Sequence, residues 1–284
     1  MQYGLYFGCM QLHLWPIILK NKKEFIMKKI FVLSIVAAIA FSSCEKNDNA
    51  EKSGIFKGTE MTLHNGKAWT WVQLNKEGKP ERLAVSINQA ALNSVPTDDM
   101  PSHEGHSMDD NIVLDLNTKA NITPFNHVWL NWNPAGHPPE NIYTKPHFDI
   151  HFYMESSSER EQYLDPVKLD ASPAAEYLPA NYFGGEPVPT MGKHYVDLTS
   201  PELDPVNPKP FTQTFIYGSY NSKVVFYEPM ITLDFLKTTA DFTRTIPQPA
   251  KYQTSGYYPT QMRVIRRANV VDIILDGFVY RTAS

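Results

Sequence analysis

Residues 146–154 read PHFDIHFYM, and polar and apolar side chains alternate along this stretch without a break. Alternation with a period of two is typical of a β-strand, whose successive side chains point to opposite faces of a sheet. In a helix His147 and His151 would share a face, but Pro146 and the aromatic, β-branched content favour a strand. One face of this strand is then polar (His147, Asp149, His151 and Tyr153) and the other apolar (Phe148, Ile150, Phe152 and Met154).

The same period of two continues through most of the chain from Ile55 onward, in short runs separated by turn residues. Asn65-Gly66 is a strong signal for one hairpin turn, and a second hairpin is predicted over 211–236. Proline is frequent between the runs and is not tolerated inside helices, which argues against a helical bundle. The sequence therefore predicts an all-β fold, a single sandwich or barrel-like domain over residues 55–284 with a few short helices.

The N-terminal segment predicts export. Residues 27–43 contain two lysines, an apolar run too short for a permanent membrane span, and small residues before Cys44. This is the pattern of a secretory signal peptide, and its ending resembles a bacterial lipoprotein signal. Residues 1–43 would then be removed as a leader, and Cys44 would be lipidated. A longer membrane anchor over residues 1–41 is the alternative, although charged residues between 20 and 24 interrupt it.

Processing at Cys44 would leave residues 44–54 as a flexible, lipid-anchored tether. The expected location is the cell envelope, as a lipoprotein of the periplasm or the outer membrane, with surface display also open. Cys44 would be the sole cysteine of the processed chain, so the mature fold would have neither a disulfide nor a thiolate ligand.

Charge and missing motifs exclude several functional classes. The chain has 26 Lys and Arg against 30 Asp and Glu, and removal of the leader leaves 21 against 29. An acidic chain without a basic cluster argues against nucleic acid as a partner. The expected partners are a membrane, through the lipid on Cys44, a small molecule or metal ion, and a second copy of the chain. The usual signatures of serine hydrolases, P-loop proteins, dinucleotide-binding proteins and zincins are absent.

Histidine and carboxylate residues are the remaining candidates for chemistry. Neutral imidazoles beside a carboxylate offer lone pairs to Zn, Mn or Fe, which we expect more than Cu. Five residues in turn-to-strand segments are predicted to form one metal site at an end of the sandwich. They are His137, His147, His151, His194 and Glu228. Asp149 and Tyr153 are predicted to support them. Proton transfer by an aspartate–histidine pair is an alternative, and structural histidines are another, so the sequence leaves enzymatic activity open.

Four blocks along residues 125–236 carry a resemblance to a known family. They are WNPAGHPP, PHFDIHFYM, TMGKHYVDL and FIYGSYNSKVVFYEPMI. In order and spacing they resemble an exported bacterial lipoprotein family of β-rich proteins without an assigned reaction. The resemblance implies that the five predicted ligands form a polar centre shared by that family.

A looser similarity is to cupins, small β-barrels that bind metal through a His-x-His-x₃₋₄-Glu element and a later glycine–histidine turn. Asp149-Ile150-His151 followed by Glu155 resembles the first element, with aspartate in place of one histidine. Met191-Gly192-Lys193-His194 resembles the second, with one residue fewer between glycine and histidine. The similarity implies a cupin-like architecture.

The polar loop over residues 95–111 is a separate candidate. It mixes thioether and imidazole groups, which suits copper, especially Cu(I). These groups belong to Met100, His103, His106 and Met108. The overall prediction is an exported lipoprotein β-domain with a transition-metal site of unassigned reaction. The alternatives are a non-catalytic ligand-binding or assembly protein with structural histidines, and copper handling by the loop 100–108.

Overall fold

The structure, a computed structural model, describes residues 53–97 and 110–284. These residues all belong to one compact unit, Asp48–Ser284. The predicted leader, the lipidated Cys44, most of the tether and the His/Met loop with Met100, His103, His106 and Met108 lie outside the described residues. Within the described residues, no helix is both long and apolar enough to cross a membrane.

Strands dominate the described residues, and the predicted all-β class is confirmed. They are β1 (Gly54–Leu63), β2 (Gly66–Leu74), β3 (Pro80–Asn88), β4 (Asn111–Asp115), β5 (His127–Asn133), β6 (His147–Tyr153), β7 (Tyr182–Val188), β8 (Gly192–Asp197), β9 (Gln213–Tyr220), β10 (Lys223–Thr232), β11 (Asp241–Thr245), β12 (Gly256–Tyr258), β13 (Gln261–Arg266), β14 (Val270–Asp276) and β15 (Val279–Arg281).

The helices of the described residues are short. They are α1 (Gln89–Ser94), α2 (Ser157–Arg160), α3 (Pro166–Asp170) and α4 (Leu233–Thr238), with 3-10 turns at Thr118–Ile122, Ala175–Tyr177 and Pro201–Leu203. Helix α2 has four residues, about one turn. It begins with a capping box in which Ser156 and Glu159 satisfy each other's backbone amides.

Two antiparallel sheets pack as a sandwich. The first sheet has six strands in the order β1-β2-β3-β14-β13-β11, and the second has seven in the order β4-β5-β6-β10-β9-β8-β7, while β12 pairs with β15. The topology does not confirm the similarity to cupins. In the hairpin that joins β9 to β10, Asn221 and Ser222 both have positive φ, as a type I′ turn requires.

Strand β6 lies inside the second sheet, between β5 and β10. Its apolar face packs into the core between the two sheets, where Phe148, Ile150 and Phe152 join residues of the first sheet such as Val85 and Ile273. The alternation seen in the sequence therefore does place one face of β6 in the core.

The polar face of β6 is also buried, contrary to the simple picture of an amphipathic strand with one wet face. All seven residues of the strand are buried. Side chains from the connecting segments cover this outer face of the second sheet, among them Tyr143, Tyr163, Leu169 and Phe211. The histidines and carboxylates thus lie on a covered sheet face rather than at the end of the sandwich.

We expect Phe152→Ala to lower the free energy of unfolding by about 3–5 kcal/mol, because it would leave a cavity between the sheets. Val167→Ala, at a side chain 78% exposed on α3, is the control and should change stability by less than about 0.5 kcal/mol. Urea unfolding followed by circular dichroism measures both. Similar losses for the two variants would contradict the assigned core.

Candidate metal centre

Three strands bring His151, Glu228 and His194 together on the outer face of the second sheet. Strand β10 pairs with β6 so that Tyr227 faces Phe152 and Met230 faces Asp149, and this constant register sets Glu228 opposite His151. His194 lies on β8 and pairs with Gly218 of β9. We call these three side chains the inner group.

One ligand atom from each residue of the inner group lies within 4.8 Å of the other two. His151 Nε2 lies 3.4 Å from Glu228 Oε1 and 3.5 Å from His194 Nε2, and His194 Nε2 lies 3.7 Å from Glu228 Oε2, the other carboxylate oxygen. Neighbouring ligands of one ion lie at similar separations when the Zn–N and Zn–O bonds are about 2 Å long. The residues present therefore fit a transition-metal ion.

Burial sets the protonation state of the inner group. It lowers the pKa of His151 to about 3, helped by the neighbouring His194, and lowers the pKa of His194 to about 4. Burial also raises the pKa of Glu228 well above its ordinary value, and the charge of Asp149 adds to this rise. In the metal-free chain these shifts favour neutral imidazoles and the protonated form of Glu228.

A second set of candidate ligands lies on β6 and on the loop that precedes it. Asp149 Oδ1 is 3.1 Å from His147 Nε2, and Asp149 Oδ2 is 3.3 Å from His137 Nε2. His147 and Asp149 lie on β6, and His137 comes from the connection between β5 and β6. We call these three side chains the loop group.

Asp149 is ionised in this environment. Burial alone would raise the pKa of its carboxyl, but His147 and His137 hold that pKa well below its usual range. Asn133 also donates a hydrogen bond of 2.7 Å to Asp149 Oδ2. For His137, the carboxylate outweighs burial and raises the pKa of the imidazole.

The five predicted ligands thus fall into two groups rather than around one ion. Each group is two histidines and one carboxylate whose ligand atoms lie within 4.8 Å of one another. Asp149, predicted only as support, is the carboxylate of the loop group. Tyr153, the other predicted support, stacks on His151 with ring centroids 5.6 Å apart and donates a hydrogen bond to the carbonyl of Met191.

Sequence reasoning missed His127. This histidine is fully buried on β5, stacks on Tyr153 at 5.2 Å, and has no hydrogen-bond partner at Nε2. Burial, with the positive charge of Arg160, lowers its pKa to about 4. The signal was present in HVWLNWN (127–133), where His127, Asn131 and Asn133 alternate with apolar residues as the polar residues of β6 do.

Sequence reasoning also missed Arg160, the last residue of α2. Its guanidinium is buried, lies 4.0 Å above the ring of Trp129, and donates a hydrogen bond to the carbonyl of Thr190. Trp129 in turn contacts His151, with ring centroids 5.9 Å apart. Arg160 therefore covers Trp129, next to His151, through a cation–π contact.

We expect Gly218→Ala to destabilise the protein by about 1–3 kcal/mol, as overpacking does. An added Cβ would lie 1.9 Å from the ring of Phe226, and that ring packs on both His151 and His194. Gly185→Ala is the matched control, because its Cβ would meet its nearest atom at 3.8 Å. Equal urea midpoints for the two variants would contradict the tight packing around Gly218.

The metal-free chain should lose stability as the pH falls from 6.5 towards 4. His127, His151 and His194 have folded-state pKa values near 3 to 4 and an ordinary value of 6.5, so they take up protons only on unfolding. Their stabilising contribution is present above pH 6.5 and is lost as the pH falls. Each such histidine contributes a slope of up to about 1.4 kcal/mol per pH unit.

Glu228 opposes this trend, because its raised pKa contributes stability at low pH that is lost as the pH rises above 4.5. Glu228→Gln should therefore make the fall in stability between pH 6.5 and 4.5 steeper. Urea unfolding with a chelator present, at half-unit pH steps, measures both slopes. Burial also raises the pKa of Glu155 to about 7 and raises that of Glu202, so these two carboxyls oppose the histidines in the same way in both proteins. A Glu228→Gln profile no steeper than that of the wild type would contradict the raised pKa of Glu228.

Neither a family model, nor a curated protein, nor a solved structure matches this chain. The resemblance to an exported lipoprotein family therefore stays a prediction. The inner group and the loop group are the features of the described residues that bear on function.

Proposed function

We propose that this protein binds a divalent transition-metal ion through the inner group. The observation that carries the proposal is the closeness of three side chains: His151 Nε2 and His194 Nε2 lie 3.5 Å apart, and each lies 3.4 to 3.7 Å from one carboxylate oxygen of Glu228. The atoms already stand at the spacing of metal ligands, so an ion near their centre needs little rearrangement. Binding would displace the proton that Glu228 holds in the metal-free chain.

The donor set indicates which ions suit the site. Two imidazole nitrogens and one carboxylate oxygen suit zinc, manganese and iron, whereas Cu(I) prefers sulfur ligands. Three protein ligands leave at least one coordination position for water or an oxygenated small molecule, as in catalytic rather than structural zinc sites. An ion held in this way would supply Lewis acidity or an activated water.

Solvent reaches the inner group from the side of His194. Its side chain is 20% exposed, whereas those of His151 and Glu228 are each 1% exposed. An ion or a small ligand would therefore approach past His194, and Phe226 would stay packed behind it. The two residues that β6 and β10 supply would remain fixed by the sheet during exchange.

The cellular setting of the proposal comes from the sequence. A signal peptide and a lipid on Cys44 would hold the domain in the cell envelope, and the metal would be acquired there. The His/Met loop 100–108 is a separate copper proposal, independent of the inner group.

A non-catalytic ligand-binding or assembly protein is the second candidate. The near-complete burial of His151 and Glu228 favours it, because buried histidines and carboxyls can satisfy one another as structural elements. The two candidates differ in metal affinity, since a purely structural pair needs no ion.

We expect the purified chain to bind Zn²⁺ at the inner group and Glu228→Gln to weaken that binding by more than about 100-fold. Losing a ligand should cost more than losing one of its hydrogen-bond partners, which costs about 10- to 100-fold. The substitution keeps the shape of a protonated carboxyl, so the fold should survive. Elemental analysis and titration against a competing chelator measure the effect.

His64→Asn is the matched control. His64 pairs with Asp110 at 2.9 Å, outside both groups, and its φ of 48° is one that asparagine adopts readily. Its zinc affinity should equal that of the wild type. A wild-type chain that neither contains metal nor binds Zn, Mn or Fe on titration would contradict the proposal.

A further inference from the structure

The loop group contains two buried polar atoms that the fold leaves unpaired. His147 Nε2 and Asp149 Oδ1 are both buried and lie 3.1 Å apart, yet neither has a hydrogen-bond partner. Burying such atoms without a partner costs free energy, because they lose their hydrogen bonds to water. A cation held by both atoms would remove that cost.

Backbone carbonyls fix both imidazoles of the loop group in one tautomer. His147 donates from Nδ1 to the carbonyl of Lys145 at 2.6 Å, and His137 donates from Nδ1 to the carbonyl of Pro138 at 2.7 Å. Both Nε2 atoms face the carboxylate of Asp149, so each can donate to that carboxylate while the ring is protonated and offers its lone pair to a metal ion once the ring is neutral. Metal-ligating histidines are commonly oriented in this way by a backbone carbonyl.

The loop before β6 folds back on itself and so places His137 next to Asp149. His137 donates its backbone amide to the carbonyl of Tyr143, and Gly136 has a φ of 71°. A Cβ at Gly136 would lie 2.1 Å from the oxygen of Tyr143, so this close return requires glycine. His137, with its side chain 35% exposed, remains the ligand through which solvent reaches the group.

We propose that the loop group is a second metal site, distinct from the inner group, and that an ion bound there fastens the loop 134–145 to β6. The ligands would be Nε2 of His137, Nε2 of His147 and the carboxylate of Asp149. Asn133 would hold that carboxylate in place through its hydrogen bond to Oδ2. The same nitrogen and oxygen donors suit zinc, manganese and iron.

Zinc stoichiometry tests this proposal. We expect two equivalents of Zn²⁺ for the wild-type chain, one for His137→Ala, one for Glu228→Gln and none for the double variant. His137 is partly exposed, so its substitution should leave the fold intact, and circular dichroism checks this. The control His64→Asn should keep both equivalents.

Hydrogen exchange supplies a second readout that is independent of activity. Added Zn²⁺ should slow exchange in residues 134–145 of the wild type and of Glu228→Gln by about tenfold or more, and should have no such effect in His137→Ala. Protection of this loop that persists in His137→Ala would overturn the fastening role.

The outcomes separate the two proposals. One equivalent in the wild type, lost in Glu228→Gln and kept in His137→Ala, would overturn the second site and leave the inner group standing. One equivalent lost only in His137→Ala would place the metal in the loop group and overturn the inner site. A wild type without any zinc would overturn both.

Discussion

The polar face of β6 is buried, and the rest of the outer layer depends on that constraint. A strand in the middle of a sheet has its backbone satisfied by its neighbours, but histidines and a carboxylate on a covered face must find partners among side chains. Residues from β5, β8, β10 and the loop before β6 supply those partners. These partners satisfy the covered polar atoms only in part, since His147 Nε2 and Asp149 Oδ1 are buried without a hydrogen bond.

The two carboxylates of this layer have opposite protonation states for one physical reason. Asp149 lies between two imidazoles that favour its charged form, and its charge then adds to burial in raising the pKa of Glu228. Neighbouring buried carboxylates resist ionising together. A divalent ion at either group would change this balance, because it replaces a proton at Glu228 and neutralises charge at Asp149.

Much of the fold was predictable, because alternation and turn chemistry are local properties of the sequence. The strand at 147–153, the hairpin that carries Glu228 and the serine cap of α2 all follow from residues within a few positions of one another. The burial of the polar face of β6 did not follow, because it depends on side chains such as Tyr143 and Phe211 that arrive from distant segments.

The division of the histidines into two groups was partly predictable. Residues four apart on one strand lie about 13 Å apart, so His147 and His151 could not share an ion once β6 was taken as a strand. The sequence could not predict that Glu228 is the partner of His151. Strand β10 lies about 75 residues from β6 along the chain, and the two strands become neighbours only through the order of strands in the sheet. His127 was overlooked although its strand shows the same alternation.

Proton transfer is the main chemical alternative to metal binding at the inner group, and the geometry argues against it. The two Nε2 atoms of His151 and His194 lie 3.5 Å apart, near the limit for a shared proton. An additional proton shared by the two rings would make one imidazole cationic in a place where burial lowers both pKa values to about 3 and 4. A metal ion would accept both lone pairs at once and would be balanced by Glu228 as its carboxylate. Of the two alternatives, a metal ion is the one that would satisfy all three side chains together.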